Sequence, residues 1–208
     1  MTAVLGLSGR AGDQRLRGQV GAGFARPSSM RLEAVTAGQL IFVLAAADEN
    51  ATLLLARESR VLRNERPEEI LAALTGVNLA PADLRAILTG CVVPDGRPTA
   101  GRAHANGWAS IDLDGGATMY LQRVETDWQI RAARRGSWRI DYAAWEGGFP
   151  TAVRLLSDET ARVDLTASVS ELEINPDLEP AAFMVNVPPD AAPLSLEELR
   201  SSGPLQGQ

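Results

Sequence analysis

Few side chains in this sequence have the types and spacing that catalysis needs. Its one histidine, His104, lies in a Gly- and Pro-rich stretch, where a solvated imidazole is the ordinary outcome and a general base the exceptional one. Asp112, Asp114, Glu125 and Asp127 fall at strand ends and hairpin turns. Two of them facing each other would form an acid/base pair, but turn carboxylates are ordinarily just hydrated. Asp158, Glu159, Glu171 and Glu173 read as turn or solvent-face residues. No His/Cys grouping has metal-ligand spacing, and no G-x-S-x-G elbow, phosphate loop or dinucleotide glycine fingerprint occurs. Gly21-Ala22-Gly23 sits inside a strand pattern with no helix after it, so it cannot cradle phosphate. The lone Cys91 has no intrachain disulfide partner. Its place before Val92-Val93 predicts a buried, inert thiol. The pattern points to no catalytic residue, no metal and no cofactor.

What is left is apolar, and it must be placed by two kinds of element. Residues 67–90 read as two short helices. Pro67 and Pro81 suit first helical positions, where a missing N–H costs nothing. Glu68, Glu69 and Asp83 suit the positive ends of the helix dipoles, and Gly76 and Gly90 suit left-handed stops. Ile70, Leu71 and Leu74, then Leu84, Ile87 and Leu88, recur at helical spacing. Helices of about two turns are unstable alone, so these faces must lie on something.

That something is a sheet. Leu16, Gly18, Val20, Ala22 and Phe24 alternate with Arg15, Arg17 and Gln19 at the period of a half-buried strand. The glycines within that strand predict bending or a bulge. Met30, Leu32 and Ala34 alternate likewise, and Leu40–Ala46, which includes Phe42, is apolar on both faces and reads as a central strand. Strands resume over Trp108–Leu113, Thr118–Val124, Trp128–Arg134, Ser137–Trp145, Phe149–Leu156 and Arg162–Ile174, joined by hairpin-sized turns. Val92–Ala105 reads as a long loop. Residues 175–208 form a Pro-rich extended segment with one strand near Phe183–Val187, and Ser195 and Glu198 form a capping box for a last short turn. The expected fold is mainly β (α+β). It is one domain over 1–208, a single strongly curved antiparallel sheet of about ten strands forming an unclosed β-barrel, covered by short helices; sheets that wide must curl or split.

The totals exclude some partners. A net charge of −6 argues against nucleic acid, whose phosphates are bound through clustered Lys and Arg. No run of about 20 apolar residues spans a bilayer. The first residues, MTAVLGLSGRAG, lack signal-peptide features. They fit either a cytosolic protein or one whose leader is absent from these 208 residues.

The order of features resembles the LolA/LolB group of periplasmic lipoprotein carriers, most closely its LolB side. The segments that carry the likeness are PSSMRLEAV (27–35), EEILAALTGVNLAPADLRAILTG (68–90), WRIDYAAW (138–145), FPTAVRLLS (149–157) and FMVNVPPDAAPLSLEEL (183–199). The resemblance implies an unclosed barrel whose hollow, under a helical lid at 67–90, holds the acyl chain of a lipid or lipoprotein. It implies a periplasmic location, with outer-membrane attachment through an N-terminal lipid anchor, and an envelope protein as a further partner. Two features depart from it. The turn Thr36-Ala37-Gly38-Gln39 carries no exposed apolar residue of the kind LolB uses at the membrane, and no lipobox cysteine is present. Members of this fold also act as glycolipid carriers and envelope-stress sensors.

On this reading the ligand-binding wall comprises Ile70, Leu71, Leu74, Leu84, Ile87 and Leu88 from the lid. From the sheet it takes Leu32, Phe42, Trp108, Trp128, Trp138, Ile140 and Tyr142. Two rivals stand beside the carrier. One is a non-enzymatic envelope module with a solid core that binds another protein; the other is an enzyme using carboxylates at the rim.

Overall fold

The computed structural model describes residues 1–12, 14–36, 38–157 and 162–202. Six strands come first: β1 (Thr2–Ala11), β2 (Gln14–Ala25), β3 (Ser29–Thr36), β4 (Gln39–Ala47), β5 (Asn50–Leu55) and β6 (Arg60–Glu65). Helices α1 (Pro67–Thr75) and α2 (Pro81–Leu88) follow. Seven more strands succeed them: β7 (Pro98–His104), β8 (Trp108–Leu113), β9 (Thr118–Val124), β10 (Asp127–Arg135), β11 (Trp138–Glu146), β12 (Phe149–Ser157) and β13 (Val163–Glu173). A two-residue strand, β14 (Ala192–Pro193), and α3 (Leu196–Ser202) complete the described elements.

All fourteen strands form one unclosed sheet in the order β14-β6-β5-β4-β3-β2-β1-β13-β12-β11-β10-β9-β8-β7. The seam is β1 against β13. The chain therefore meanders from the middle of the sheet outward to β6, which only the two-residue β14 later flanks, and must re-enter at the opposite edge, β7. Residues 66–97 have to cross the whole opening to do so. The position of α1 and α2 over the concave face is a consequence of strand order.

Local signals in the sequence operate as their chemistry requires. Pro67 and Pro81 open the two helices, acidic residues occupy their first turns, and Gly76 stops α1 at φ 73°. In β2, Leu16, Val20, Ala22 and Phe24 are buried, as the alternation predicts. Phe42 to Ala46 of β4 are buried without a break, because segment 180–184 covers the outer face there while the core covers the inner one. Asn50 starts β5.

Several expectations change. The described residues form fourteen strands, more than the expected ten or so. Pro98–His104, expected as loop, is the β7 edge strand, where proline and glycine are tolerated because one side of the backbone needs no ladder partner. No strand forms at Phe183–Val187. Pro180–Phe183 is instead a 3-10 turn, and the Arg31 guanidinium donates to the carbonyls of Ala182 and Met184, which satisfies backbone that a ladder would otherwise serve. The glycines of β2 make no bulge, since its pairing with β1 and with β3 runs without a register shift. Cys91 is exposed. Val92 turns inward in its place, fully buried with φ 63°. Of the predicted turn 36–39, Ala37 lies outside the described residues, as do Asp158 and Glu159; Thr36 and Gln39 pair across the turn.

The expected capping box is formed. The Ser195 hydroxyl accepts from the Glu198 N–H at 3.2 Å, and the Glu198 carboxylate accepts from the Ser195 N–H at 2.8 Å. Arg60 of β6 donates to the same carboxylate at 2.8 Å. Leu199 is thereby seated in the core, fully buried, with α3 against α1. Arg60 first, then the Ser195 backbone and hydroxyl, hold the Glu198 carboxyl down at about 2. A depressed carboxyl stabilises docking fully above its ordinary value of 4.5 and loses that contribution as pH falls toward 2. Protection factors of the α3 amides, which remove the slowing of intrinsic exchange in acid, should hold at pH 5 and fall as pH drops from 4.5 toward 2. In Arg60→Ala the fall should begin at higher pH.

Candidate functional site

Inward-facing residues of the sheet pack into two cores. The first joins β1–β6 to α1 and α3, with Phe24, Met30, Leu44, Leu53, Ile70 and Leu199 at its centre. The second joins β8–β13 to α2 and the segments flanking it, with Ile130, Ile140, Tyr142, Val77 and Val92. Between the two, beneath the helices, lies an apolar cavity of about 140 Å³. Its floor comes from Leu5 and Leu7 of β1, Leu16, Val20 and Phe24 of β2, Leu32 and Ala34 of β3, Ile41 and Phe42 of β4, Val153 and Leu155 of β12, and Leu165 and Ala167 of β13. Its roof is Leu71, Leu74 and Val77 with Leu84, Ile87 and Leu88.

The hollow exists because small residues occupy inward positions where strands face the roof. Gly18 sits between inward-facing Leu16 and Val20, and a methyl group there would meet nothing nearer than the Thr36 Oγ at 3.7 Å. Ala34 and Ala167 leave similar room on the flanking strands. The wall reaches the surface beside Gly18, where Arg17, Gln19 and Thr36 are exposed and Ile41 and Thr75 half-buried. That end is the mouth. An apolar cavity of this size stays dry and accepts a molecule as large as benzene. A longer chain would have to press α1 and α2 outward.

The α2 half of the roof is tied down by three contacts to the sheet. Asp83 of α2 pairs with half-buried Arg135 of β10 at 2.8 Å. The Tyr142 hydroxyl donates to the Ile87 carbonyl at 3.1 Å, and burial first, then nearby Cys91, pushes that phenol well above its ordinary range. Gly90 lies so close to Trp145 that a methyl group would come within 2.8 Å of the indole. The Ile87 carbonyl also accepts from Gly90 N–H, so Tyr142→Phe leaves it partnered. That variant should lose about 1 kcal/mol of stability in chemical denaturation and keep its fold.

Of the thirteen residues expected to form the wall, Leu71, Leu74, Leu84, Ile87, Leu88, Leu32 and Phe42 line the cavity. The other six are elsewhere. Ile70 is fully buried in the first core. Trp138, Ile140 and Tyr142 share the inner face of β11 as their alternation predicts, but belong to the second core under α2. Trp108 points from the opposite face of β8 to Ile111, beside its register partner His104. Trp128 is 50% exposed at the start of β10. Aromatic content misled here, because the sheet's far half is filled by α2 and its flanks. Sequence reading missed Gly18 and the alternating floor of β1, β12 and β13. The period-two runs were visible, but only the β1–β13 seam shows that they face the helices.

Three of the polar residues weighed for catalysis make local contacts. His104 shares a hydrogen bond with Ser110, Asp112 accepts from Thr118 and pairs with Arg102, and Asp114 accepts from the Arg97 N–H. Glu125, Asp127, Glu171 and Glu173 are exposed. Among the described residues no group of three or more His, Cys, Asp or Glu is arranged to hold a metal, and no helix is long and apolar enough to cross a membrane.

No protein-family model matches the chain, and no curated protein matches it in sequence. Solved structures do. A crystal structure of LolA superfamily protein NE2245 from Nitrosomonas europaea superposes with a TM-score of 0.55 at 11% identity, covering 89% of this chain and 90% of that one. At that identity the likeness is one of fold: the unclosed sheet with helices across its concave face is an architecture this chain shares with a LolA superfamily protein.

Proposed function

We propose that this chain is a non-enzymatic carrier that holds the acyl chain of a lipid or lipoprotein in the cavity beneath α1 and α2. The finer reading is a LolB-type lipoprotein localisation protein, working in the periplasm and attached to the outer membrane through an N-terminal lipid anchor. The observation that carries it is the cavity itself: hydrocarbon-lined, between two well-filled cores, in a fold shared with a LolA superfamily protein. Ligand pockets are mostly apolar walls with few polar groups, and burial gains about 0.8 kcal/mol per methylene, which offsets displacement of two short helices. The test is solvent extraction of the purified protein for co-purifying lipid, with titration of a fluorescent fatty acid. A saturable signal at one ligand per chain is expected. Absence of both bound lipid and saturable uptake would sink the carrier and leave a packed envelope module that acts through its surface.

A further inference from the structure

The outer face of the sheet carries a feature that the cavity does not use. Strand register places Arg15 of β2 directly beside Arg10 of β1, and Arg10 beside Asp164 of β13. The same row continues through Leu156 of β12 to Arg139 of β11 and Arg134 of β10. One step along the strands, a second row runs Arg17, Ser8, Thr166, Arg154 and Asp141. All six arginines are exposed. Asp164 is taken by Arg154 through two hydrogen bonds of 2.7 and 2.6 Å, and Asp141 by Arg139. Among the described residues Arg10, Arg15, Arg17 and Arg134 have no acidic partner. Asp13, Asp158 and Glu159, which neighbour these strands in the sequence, lie outside the described residues.

Like charges directly opposite on neighbouring strands are unfavourable, and here two such pairs, Arg15–Arg10 and Arg139–Arg134, stand in a chain of net charge −6. We propose that this arginine band is a docking surface for a bilayer containing anionic phospholipid. Six adjacent strands make it roughly 24 Å across, wide enough for several lipid headgroups and far wider than one small anion needs. The Ser8 and Thr166 hydroxyls between the arginines add donors for phosphate oxygens. Arg17 belongs both to the band and to the rim of the cavity mouth, so docking here brings the mouth to the lipid surface. The choice of a bilayer over an acidic protein rests on the carrier reading.

The experiment is flotation of the whole protein with vesicles of phosphatidylcholine alone or with phosphatidylglycerol added, at low salt and at high salt. Binding is expected only to the anionic vesicles, and it should be lost at high salt as screening shortens electrostatic reach. A variant with Arg10→Gln, Arg15→Gln and Arg134→Gln should bind them at least about tenfold more weakly, while its uptake of a soluble fluorescent fatty acid stays at the wild-type level. Equal binding to both vesicle types, or indifference to the three substitutions, overturns the proposal. So does arginine-dependent binding of an acidic peptide with no vesicle binding, which would assign the face to a protein partner. Vesicle binding that persists in a protein unable to take up the fatty acid supports the surface and removes the carrier reading alone.

Discussion

Gly18→Leu is expected to cut acyl-chain affinity by roughly a hundredfold while leaving the protein folded and at least as stable. Gly18 faces the hollow from β2, and its backbone lies outside the left-handed region, so a side chain is sterically allowed there. A leucine would occupy the space of about four ligand carbons, and at about 0.8 kcal/mol each their loss amounts to that affinity change. Filling an apolar void and removing a flexible glycine from a strand both favour folding. Stability should therefore rise by about 1 kcal/mol. Gly23→Leu provides the control. It sits on the same strand, on the other face, with nothing within 4 Å of the added carbon, and should leave uptake unchanged while gaining only the part of the stability that comes from replacing a strand glycine. Loss of uptake with gain of stability is hard to obtain by damage. Equal uptake in Gly18→Leu and wild type would mean that ligand binds elsewhere.

Gly9→Ala should instead destroy the architecture. Gly9 lies in β1 with φ 147°, and a methyl group there would stand 2.0 Å from the Asp164 carbonyl oxygen of β13. That neighbour is backbone and cannot rotate away. The contact falls on the seam where the two halves of the sheet meet, so relief requires the halves to part. A loss of about 4 kcal/mol or more is expected, read as a fall in the denaturation midpoint or as insoluble protein. The contrast with Gly18 is a test of register. Two glycines on adjacent strands, both turned toward the concave face, should respond in opposite directions because one faces space and the other a carbonyl. A mild Gly9→Ala phenotype would contradict the β1–β13 pairing.

The sequence was legible where a signal is local. Helix ends at Pro67, Gly76 and Pro81, the capping box at Ser195 and Glu198, and most strand spans follow from steric and hydrogen-bonding preferences of neighbouring residues. Alternation correctly put Trp138, Ile140 and Tyr142 on one face. It could not say which of two cores that face enters, because that depends on β1 pairing with β13 some 160 residues away. Gly18 is ambiguous for a related reason. A glycine inside a strand signals either a bulge or an absent side chain, and only the neighbouring strands distinguish the two. Cys91 and Val92 differ for a third reason: Val92 is buried at φ 63°, against the ordinary preference of a β-branched residue, which no propensity anticipates.

The most direct test of the cavity is a methyl NMR titration. Leucine and isoleucine methyl groups would be followed as a saturated acyl ester is added. The account predicts saturating shifts at Leu5, Leu71, Leu74, Leu84, Ile87 and Leu88, which line the hollow, and little change at Ile130 and Ile140, which sit in the second core. Saturating shifts centred on Ile130 and Ile140, or no saturable response from any methyl, would contradict it.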